Sequence, residues 1–314
     1  MSRLPSSLGE SLTTARYKFA SFAANVTPGP LAQYLCTLAG SGFAFALRDT
    51  RGMVERHLRR VNPSYTDREL RAAVEEAFES YGRYWMESFR LPHLDRDVVE
   101  KGFTKVGYEN VLDGLAAGNG VILALPHLGG WEWAGRWMTD QGHRLTVVVE
   151  QLANQELFDW FKKLRSELGM TVVPVGPEAA PAIARALKSN EVVCLLCDRD
   201  IQGGGVEVEF FGERTTLPAG PAMLAVRTGA ALVPAGVYFE RRYNGHHAIV
   251  RPPVPAVRSG GSLRDDVHRI TQVLAGELEF LIRRAPEQWH LFQPNWPSDP
   301  GYGESLGPRG TEAG

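Results

Sequence analysis

Cysteine is scarce in this chain, with three in 314 residues. That is too few for a disulfide framework and points to a reducing compartment. Cys194 and Cys197 form a lone Cys-x-x-Cys, with no second pair or nearby histidine to complete a zinc site. They fall in "VVCLLCD", a strand pattern that puts residues three apart on opposite faces, so both are expected in the core. A dominant charge is also missing. Thirty-four Lys and Arg against 36 Asp and Glu leave a formal charge of −2, which makes no case for a nucleic-acid partner. Long hydrophobic runs are lacking too. The most apolar stretch, "LAQYLCTLAGSGFAFAL" at 31–47, is short for a membrane span and carries Gln33, Thr37 and Ser41. The opening "MSRLPSSLGESLTTARYK" has no apolar core of a secretory signal. Finally, no Gly-x-Ser-x-Gly stands between an apolar strand-like run and a helix, and no His-Glu-x-x-His occurs, so neither the elbow serine of a hydrolase nor the zinc helix of a metalloprotease is indicated.

What is present divides into three zones without an internal repeat. Hydrophobic residues make up 44% of the chain, enough for a sizeable core. Residues 1–100 read as helical. Thr66 and Glu69 are spaced as a capping box, and Leu70, Val74, Phe78, Tyr81, Trp85 and Phe89 follow one helical face. Residues 1–60 hold eight Lys and Arg against three acids, a local excess that would favour an anionic phospholipid surface, or simply a solvated basic patch. The segments "YKFASFAANV" and 31–47 read as amphipathic helices that could lie in a membrane interface or pair as a buried hairpin. Residues 101–298 change rhythm. Apolar runs "VILALP", "LTVVVEQ", "TVVPVG", "VVCLLCD" and "AALVPAGVYFE" come in succession, with helical stretches at 131–141, 154–168 and 178–188 and another at 263–284. This alternation predicts an α/β fold, a mainly parallel central sheet flanked by helices on both faces. Residues 299–314 are polar and Gly-rich and are expected to form a flexible tail.

Within "ILALPHLGGWEWAG" (122–135), His127 directly follows a buried strand, where sites form in such sheets. Gly129 and Gly130 permit a tight turn, and Glu132 falls in the first turn of the next helix. The short connection could bring the Glu132 carboxylate back to the imidazole, fixing its tautomer and supporting the charge gained when the other nitrogen takes a proton. Such a pair is a general base without its own nucleophile, so the attacking group would come from the substrate. Taken alone, His-x4-Glu is equally compatible with a structural role. The amides of Gly129 and Gly130 are candidate oxyanion donors. Glu150 and Asp198, Arg199 and Asp200 also follow strands, and Arg165 lies beside the apolar face of helix 154–168. Histidines 57, 93, 143, 246, 247 and 268 stand out in no way by position.

Four blocks in order carry a resemblance: "PHLGGWEWAG"; "VVEQLANQELFDWFKKLRSELGMTVVP"; "CLLCDRDIQGGGVEVEFFGERTTLPAGPAMLAVRTGAALVPA"; and "PEQWHLFQPNW". With them the chain resembles the lysophospholipid acyltransferase superfamily, marked by His-x4-Asp or His-x4-Glu, and within it the bacterial lipid A biosynthesis acyltransferase branch. Glu132 where many relatives have Asp, and an ending "FQPNWPSD" without following basic residues, look most like the actinobacterial phosphatidylinositol mannoside acyltransferases. The resemblance implies an acyltransferase moving a palmitoyl group from acyl-coenzyme A, a co-substrate, to a mannose 6-hydroxyl of phosphatidylinositol mannoside. It implies His127 and Glu132 as the catalytic pair. Beside them, Glu150 could bind sugar hydroxyls or be a solvated loop acid, and Arg165 could clamp a phosphate or be one of several surface cations. Of Asp198, Arg199 and Asp200, one acid is expected to pair with an arginine and shape the pocket, with Arg199 or Asp200 facing substrate. No metal or further cofactor is implied. The expected setting is the cytoplasmic face of the inner membrane, docked peripherally on anionic lipid through the front helices. Alternatives are another lysolipid or glycolipid acceptor, an acyl carrier protein as donor, and a non-catalytic membrane scaffold.

Overall fold

The structure, a computed structural model, describes residues 6–151 and 154–305. Arg3 of the basic front and residues 306–314 of the expected tail lie outside the described residues. Helices come first: α1 (Ser6–Val26), α2 (Gly29–Ala46), α3 (Arg48–Val61) and α4 (Asp67–Arg90). Then α5 (Arg96–Gly102) enters β1 (Phe103–Val106), followed by α6 (Glu109–Ala116), β2 (Val121–Leu125), α7 (Trp131–Asp140), β3 (Leu145–Val149), α8 (Gln155–Glu167), β4 (Met170–Pro174), α9 (Ala179–Lys188) and β5 (Val192–Leu196). A hairpin of β6 (Val206–Phe210) and β7 (Glu213–Leu217) precedes α10 (Gly220–Thr228), β8 (Ala231–Phe239), β9 (His246–Val250), α11 (Leu263–Ile282) and α12 (Tyr302–Ser305).

Seven strands make one sheet in the order β1-β9-β8-β2-β5-β3-β4, with β8–β9 its antiparallel pair. The predicted mainly parallel α/β architecture is therefore the one observed. Central β2 shows why its sequence is an unbroken apolar run: all five residues are buried. Ile122 and Ala124 join a core with Leu187 of α9, Ala225 of α10 and Leu278 of α11. Val121, Leu123 and Leu125, on the opposite face, join Trp133, Trp137 and Met138 of α7. Edge strand β1 has one buried residue in four and so no apolar signature.

The capping box forms as read. The Thr66 amide donates to Glu69 Oε2 at 2.8 Å, and the Glu69 amide donates to Thr66 Oγ1 at 3.3 Å. Helix α4 then carries the front helices onto the α/β unit. Tyr17 of α1, Trp85 of α4 and Phe161 of α8 meet pairwise, with ring centroids 5.4–5.5 Å apart. This contact leaves the other faces of α1 and α2 uncovered, and Phe19, Phe22 and Val26 of α1 and Leu31, Tyr34, Leu35 and Leu38 of α2 are exposed. Among the described residues no single helix is long and apolar enough to cross a membrane.

The first residue of the expected tail is not loose. Asp299 is buried, within 3.1 Å of His57 Nε2 and 2.7 Å of Arg60 Nη2 on α3. The cause is a buried anchoring site for the carboxylate, which composition does not reveal. His57, which stands out in no way by its position in the sequence, is thus a core histidine.

Candidate active site

Strands β2 and β5 are parallel neighbours with Leu125 opposite Leu196. Continuing that register two residues past each strand sets His127 beside Asp198. The Cys197 amide donates to Leu125 O at 2.8 Å, which keeps the two ends together. The His127 imidazole meets Asp198 through Nδ1 and Oδ1 at 2.7 Å, and the His127 backbone amide donates to Asp198 Oδ2 at 3.0 Å. A carboxylate at Nδ1 places the ring proton there and leaves the Nε2 lone pair free. Nε2 has no hydrogen-bond partner among the described residues, and the side chain is 24% exposed, so the free nitrogen is open to a ligand. Asp198 itself is fully buried. Burial alone would push its carboxyl up; the His127 charge and the donors from His127 and Trp289 outweigh that and hold it below the usual carboxylate range.

This corrects the expected partner of the imidazole. Glu132 does not turn back to His127. Arg165 donates to Glu132 Oε1 through Nη2 at 2.6 Å and Nε at 2.9 Å, and Tyr84 Oη donates to the same oxygen at 3.3 Å. The reason lies in helix geometry. Trp131, the first residue of α7, stands edge-on against His127 with centroids 5.7 Å apart. The next residue is rotated about 100° around the axis, which sends Glu132 toward α4 and α8. Arg165 is therefore engaged by a buried carboxylate and not held free for a phosphate. Desolvation by burial, with the Glu132 charge behind it, drives the Tyr84 hydroxyl well above its ordinary value, so it remains a neutral donor.

The other expected site residues divide. Gly129 adopts φ +58, and a Cβ there would come within 2.1 Å of Val237 O, so the turn demands glycine. Its amide is already committed, donating to Gln288 O at 2.9 Å, which removes it from the candidate oxyanion donors. Gly130 immediately precedes α7, and its amide finds no acceptor among the described residues. Glu150 is exposed just after β3, on the same edge of the sheet as His127. Arg199 is half-buried next to Asp198. Asp200, read as facing substrate, is buried and accepts from the amides of Gln202, Gly203 and Gly205 and from Thr216 Oγ1. It organises the loop into β6, because a carboxylate there answers amides that have no strand partner.

Sequence reasoning missed Trp289, His290 and Asn295, although all three sit in the quoted "PEQWHLFQPNW". Trp289 Nε1 donates to Asp198 Oδ2 at 2.7 Å, the His290 amide to His127 O at 2.7 Å, and Asn295 Nδ2 to Asp198 O at 3.0 Å. His246, also passed over, is buried with its Nε2 at 2.7 Å from Glu87 and its ring stacked 4.2 Å from Trp133. That pair supports the start of α7.

Beside the dyad an apolar cavity lies between α7 and the sheet, with about 650 Å³ free of atoms when its opening to solvent is included. Trp131 and Glu132 line it at the site end, and Tyr108, Lys105 and Val250 line it toward the opposite edge of the sheet. Of β2, Leu123 and Leu125 line it. Lys105 Nζ lies 4.3 Å from the Trp137 ring centroid at that far end. Cys194 faces the cavity, and burial pushes its thiol up to about 12, which keeps it unreactive.

An unpaired imidazole nitrogen, on a ring that packs against Trp131 of the cavity wall, can take a proton from an incoming alcohol. The family model for bacterial lipid A biosynthesis acyltransferases matches residues 10–298. The chain belongs to that family. It is an acyltransferase. It is 42% identical over 228 residues to a phosphatidylinositol mannoside acyltransferase of Mycobacterium tuberculosis, covering 71% of this chain and 70% of the relative. A phosphatidylinositol mannoside acyltransferase of Mycolicibacterium smegmatis is 39% identical over 229 residues, covering 72% and 73%. A lipid A biosynthesis palmitoleoyltransferase of Escherichia coli is 23% identical over 267 residues, covering 83% of each. In this acyltransferase, then, the acid bonded to the histidine comes from the end of the neighbouring strand.

Proposed function

We propose that this acyltransferase transfers a long acyl group, typically palmitoyl, from acyl-coenzyme A to a mannose 6-hydroxyl of phosphatidylinositol mannoside. The acceptor class follows from the names of its mycobacterial relatives. The observation that carries the chemistry is the His127–Asp198 pair, with Nε2 unpaired among the described residues and the ring against Trp131, which lines the apolar cavity. In this reading the acceptor hydroxyl gives its proton to His127 Nε2 as its oxygen attacks the thioester carbon. Asp198 holds the ring and offsets the imidazolium charge. The tetrahedral oxyanion is met by the Gly130 amide at the start of α7. Collapse breaks the carbon–sulfur bond, and the thiolate leaves with the proton from Nε2. No acyl-enzyme forms. Glu132 and Arg165 act as a fixed pair that positions α7 and Trp131, and Glu150 on the open edge is a partner for sugar hydroxyls.

The acyl chain enters the cavity past Trp131, with its far end toward Trp137 and Lys105. Burial is worth about 0.8 kcal/mol per methylene, so the fourteen methylenes of a palmitoyl chain could contribute up to about 11 kcal/mol. The acceptor is a membrane lipid, and the exposed faces of α1 and α2 dock the enzyme peripherally on the cytoplasmic leaflet. Their apolar residues recur at helical spacing, and Arg16, Lys18 and Arg48 nearby are exposed toward anionic headgroups.

The test is transfer of labelled palmitoyl from palmitoyl-coenzyme A to purified phosphatidylinositol mannoside. His127→Ala is expected to lower turnover by about 10²–10⁴-fold while the fold survives. Near-normal turnover in that variant overturns the mechanism, and transfer only to other lipid acceptors overturns the substrate. For docking, the triple substitution of Phe19, Phe22 and Leu38 to Ser should abolish co-sedimentation with anionic vesicles at low salt. Unchanged pelleting rejects the docking face.

A further inference from the structure

We propose that Trp289 is a positioning residue of the transfer reaction, its indole N–H holding Asp198 in the orientation and ionised state that serve His127. The inference rests on the reading of His127 as the base. Asp198 offers two oxygens to three donors. Oδ1 faces His127 Nδ1 at 2.7 Å, and Oδ2 accepts from the His127 amide at 3.0 Å and from Trp289 Nε1 at 2.7 Å. A hydrogen bond to an ionised acceptor is roughly twice as strong as a neutral one, so the indole both orients the carboxylate and spreads its charge.

The indole is itself locked. Trp289 is 3% exposed and is boxed by Phe210, Phe211, Trp296 and His57, with ring centroids 5.7–6.2 Å away. The same short segment also grips the histidine's own backbone. Leu128 and Trp289 form an antiparallel bridge, the His290 amide donates to His127 O, and the Gly129 amide donates to Gln288 O. One turn of chain near the C-terminus therefore sets the position of both members of the dyad. The register of β2 and β5 brings His127 and Asp198 together, and Trp289 selects which carboxylate oxygen meets the ring.

Other titratable groups surround the pair. Cys197 precedes Asp198, His290 lies beside His127, Glu132 with Tyr84 and Arg165 stands beyond Trp131, and His57 with Asp299 lies behind the indole. None of them depends on the indole N–H for its own hydrogen bond. Removing that N–H concentrates negative charge on Asp198, which stabilises the protonated imidazole. Activity falls at low pH as His127 takes a proton, so the acid limb must move to higher pH.

The experiment replaces the indole N–H without changing shape, by Trp289→3-benzothienylalanine, alongside Trp289→Phe. The control is Trp296→Phe, which loses an indole bond to Phe210 O in the same aromatic cluster. Transfer from palmitoyl-coenzyme A is followed across pH. The benzothienyl variant is expected to melt like the wild type and keep KM within about twofold. Its kcat should drop about 10- to 100-fold, the size found when an outer partner of a functional ligand is lost. The acid limb of its kcat/KM profile should lie at higher pH, and that of Trp296→Phe should stay in place. A benzothienyl variant with wild-type kcat and profile overturns the proposal. So does a kcat loss with an unmoved limb, which would make Trp289 a packing residue only. Absence of transfer in the wild type, or full transfer in His127→Ala, would instead strike the underlying mechanism.

Discussion

Asp198→Asn isolates the step that distinguishes this site from the arrangement expected from His-x4-Glu. The amide has the shape of the carboxylate but one acceptor oxygen in place of two. If that oxygen faces His127 Nδ1, the new NH₂ opposes both the His127 amide and Trp289 Nε1, two buried donors without acceptors. If the amide is flipped, its oxygen serves those two donors, at 3.0 and 2.7 Å in the native protein, and its NH₂ donates to Nδ1. The flipped state satisfies every group and should dominate. It forces the proton onto Nε2 and leaves no base. A histidine held in the wrong tautomer costs about 10⁴-fold in turnover, or about 5.5 kcal/mol. The fold should survive, because three bonds lose charge assistance at about 1 kcal/mol each against about 5–15 kcal/mol of total stability. The assay is palmitoyl transfer, with circular dichroism to verify folding and Glu132→Gln in parallel. Retention of more than about a tenth of wild-type turnover in Asp198→Asn, or a deeper loss in Glu132→Gln than in Asp198→Asn, refutes the assignment of the acid.

Three further outcomes are expected. Arg165→Met strands the buried Glu132 carboxylate and should cost about 2–4 kcal/mol by urea denaturation, the lower part of the range for a broken buried pair because the guanidinium is 20% exposed; a loss under about 1 kcal/mol rejects the pair as a support of α7. Gly135→Leu should project into the cavity against Met170, 2.4 Å from a Cβ there, and lower palmitoyl transfer at least about tenfold while a C10 donor is little affected; equal losses for both donors argue against the cavity as the acyl site. His290 is held neutral, with burial first and the His127 charge second pushing its imidazole down to about 3 from an ordinary 6.5. The unfolded chain therefore binds a proton that the native state refuses. This stability is complete above about pH 6.5 and declines as pH falls toward 3, by up to about 1.4 kcal/mol per unit. His290→Phe should flatten urea stability between pH 6.5 and 4.5, and an unchanged slope refutes the attribution.

The long elements were legible because their signals are local. The five apolar runs, the capping box at Thr66 and the glycine turn after His127 depend on neighbours one to four positions apart, and all formed as read. The strand β1 was not legible, since an edge strand burying one residue in four leaves no pattern. Asp200 was misread for a related reason: a carboxylate after a strand end looks the same in sequence whether it meets substrate or caps the amides of its own loop. The segment around Trp289 carried part of the site without any residue type that announces chemistry.

From its sequence alone this chain determined its α/β class, the placing of His127 at a strand end, and the glycine that lets the backbone turn there. Only the tertiary structure decided which acid serves the histidine. The imidazole and the carboxylate of Asp198 are 71 residues apart, and they meet because β2 and β5 lie side by side in one register. Glu132, five positions away along the chain, was carried off by the rotation of its own helix into the grip of Arg165. Periodicity encodes which face of an element is buried, whereas the pairing of two strand ends is settled by the packing of the whole sheet.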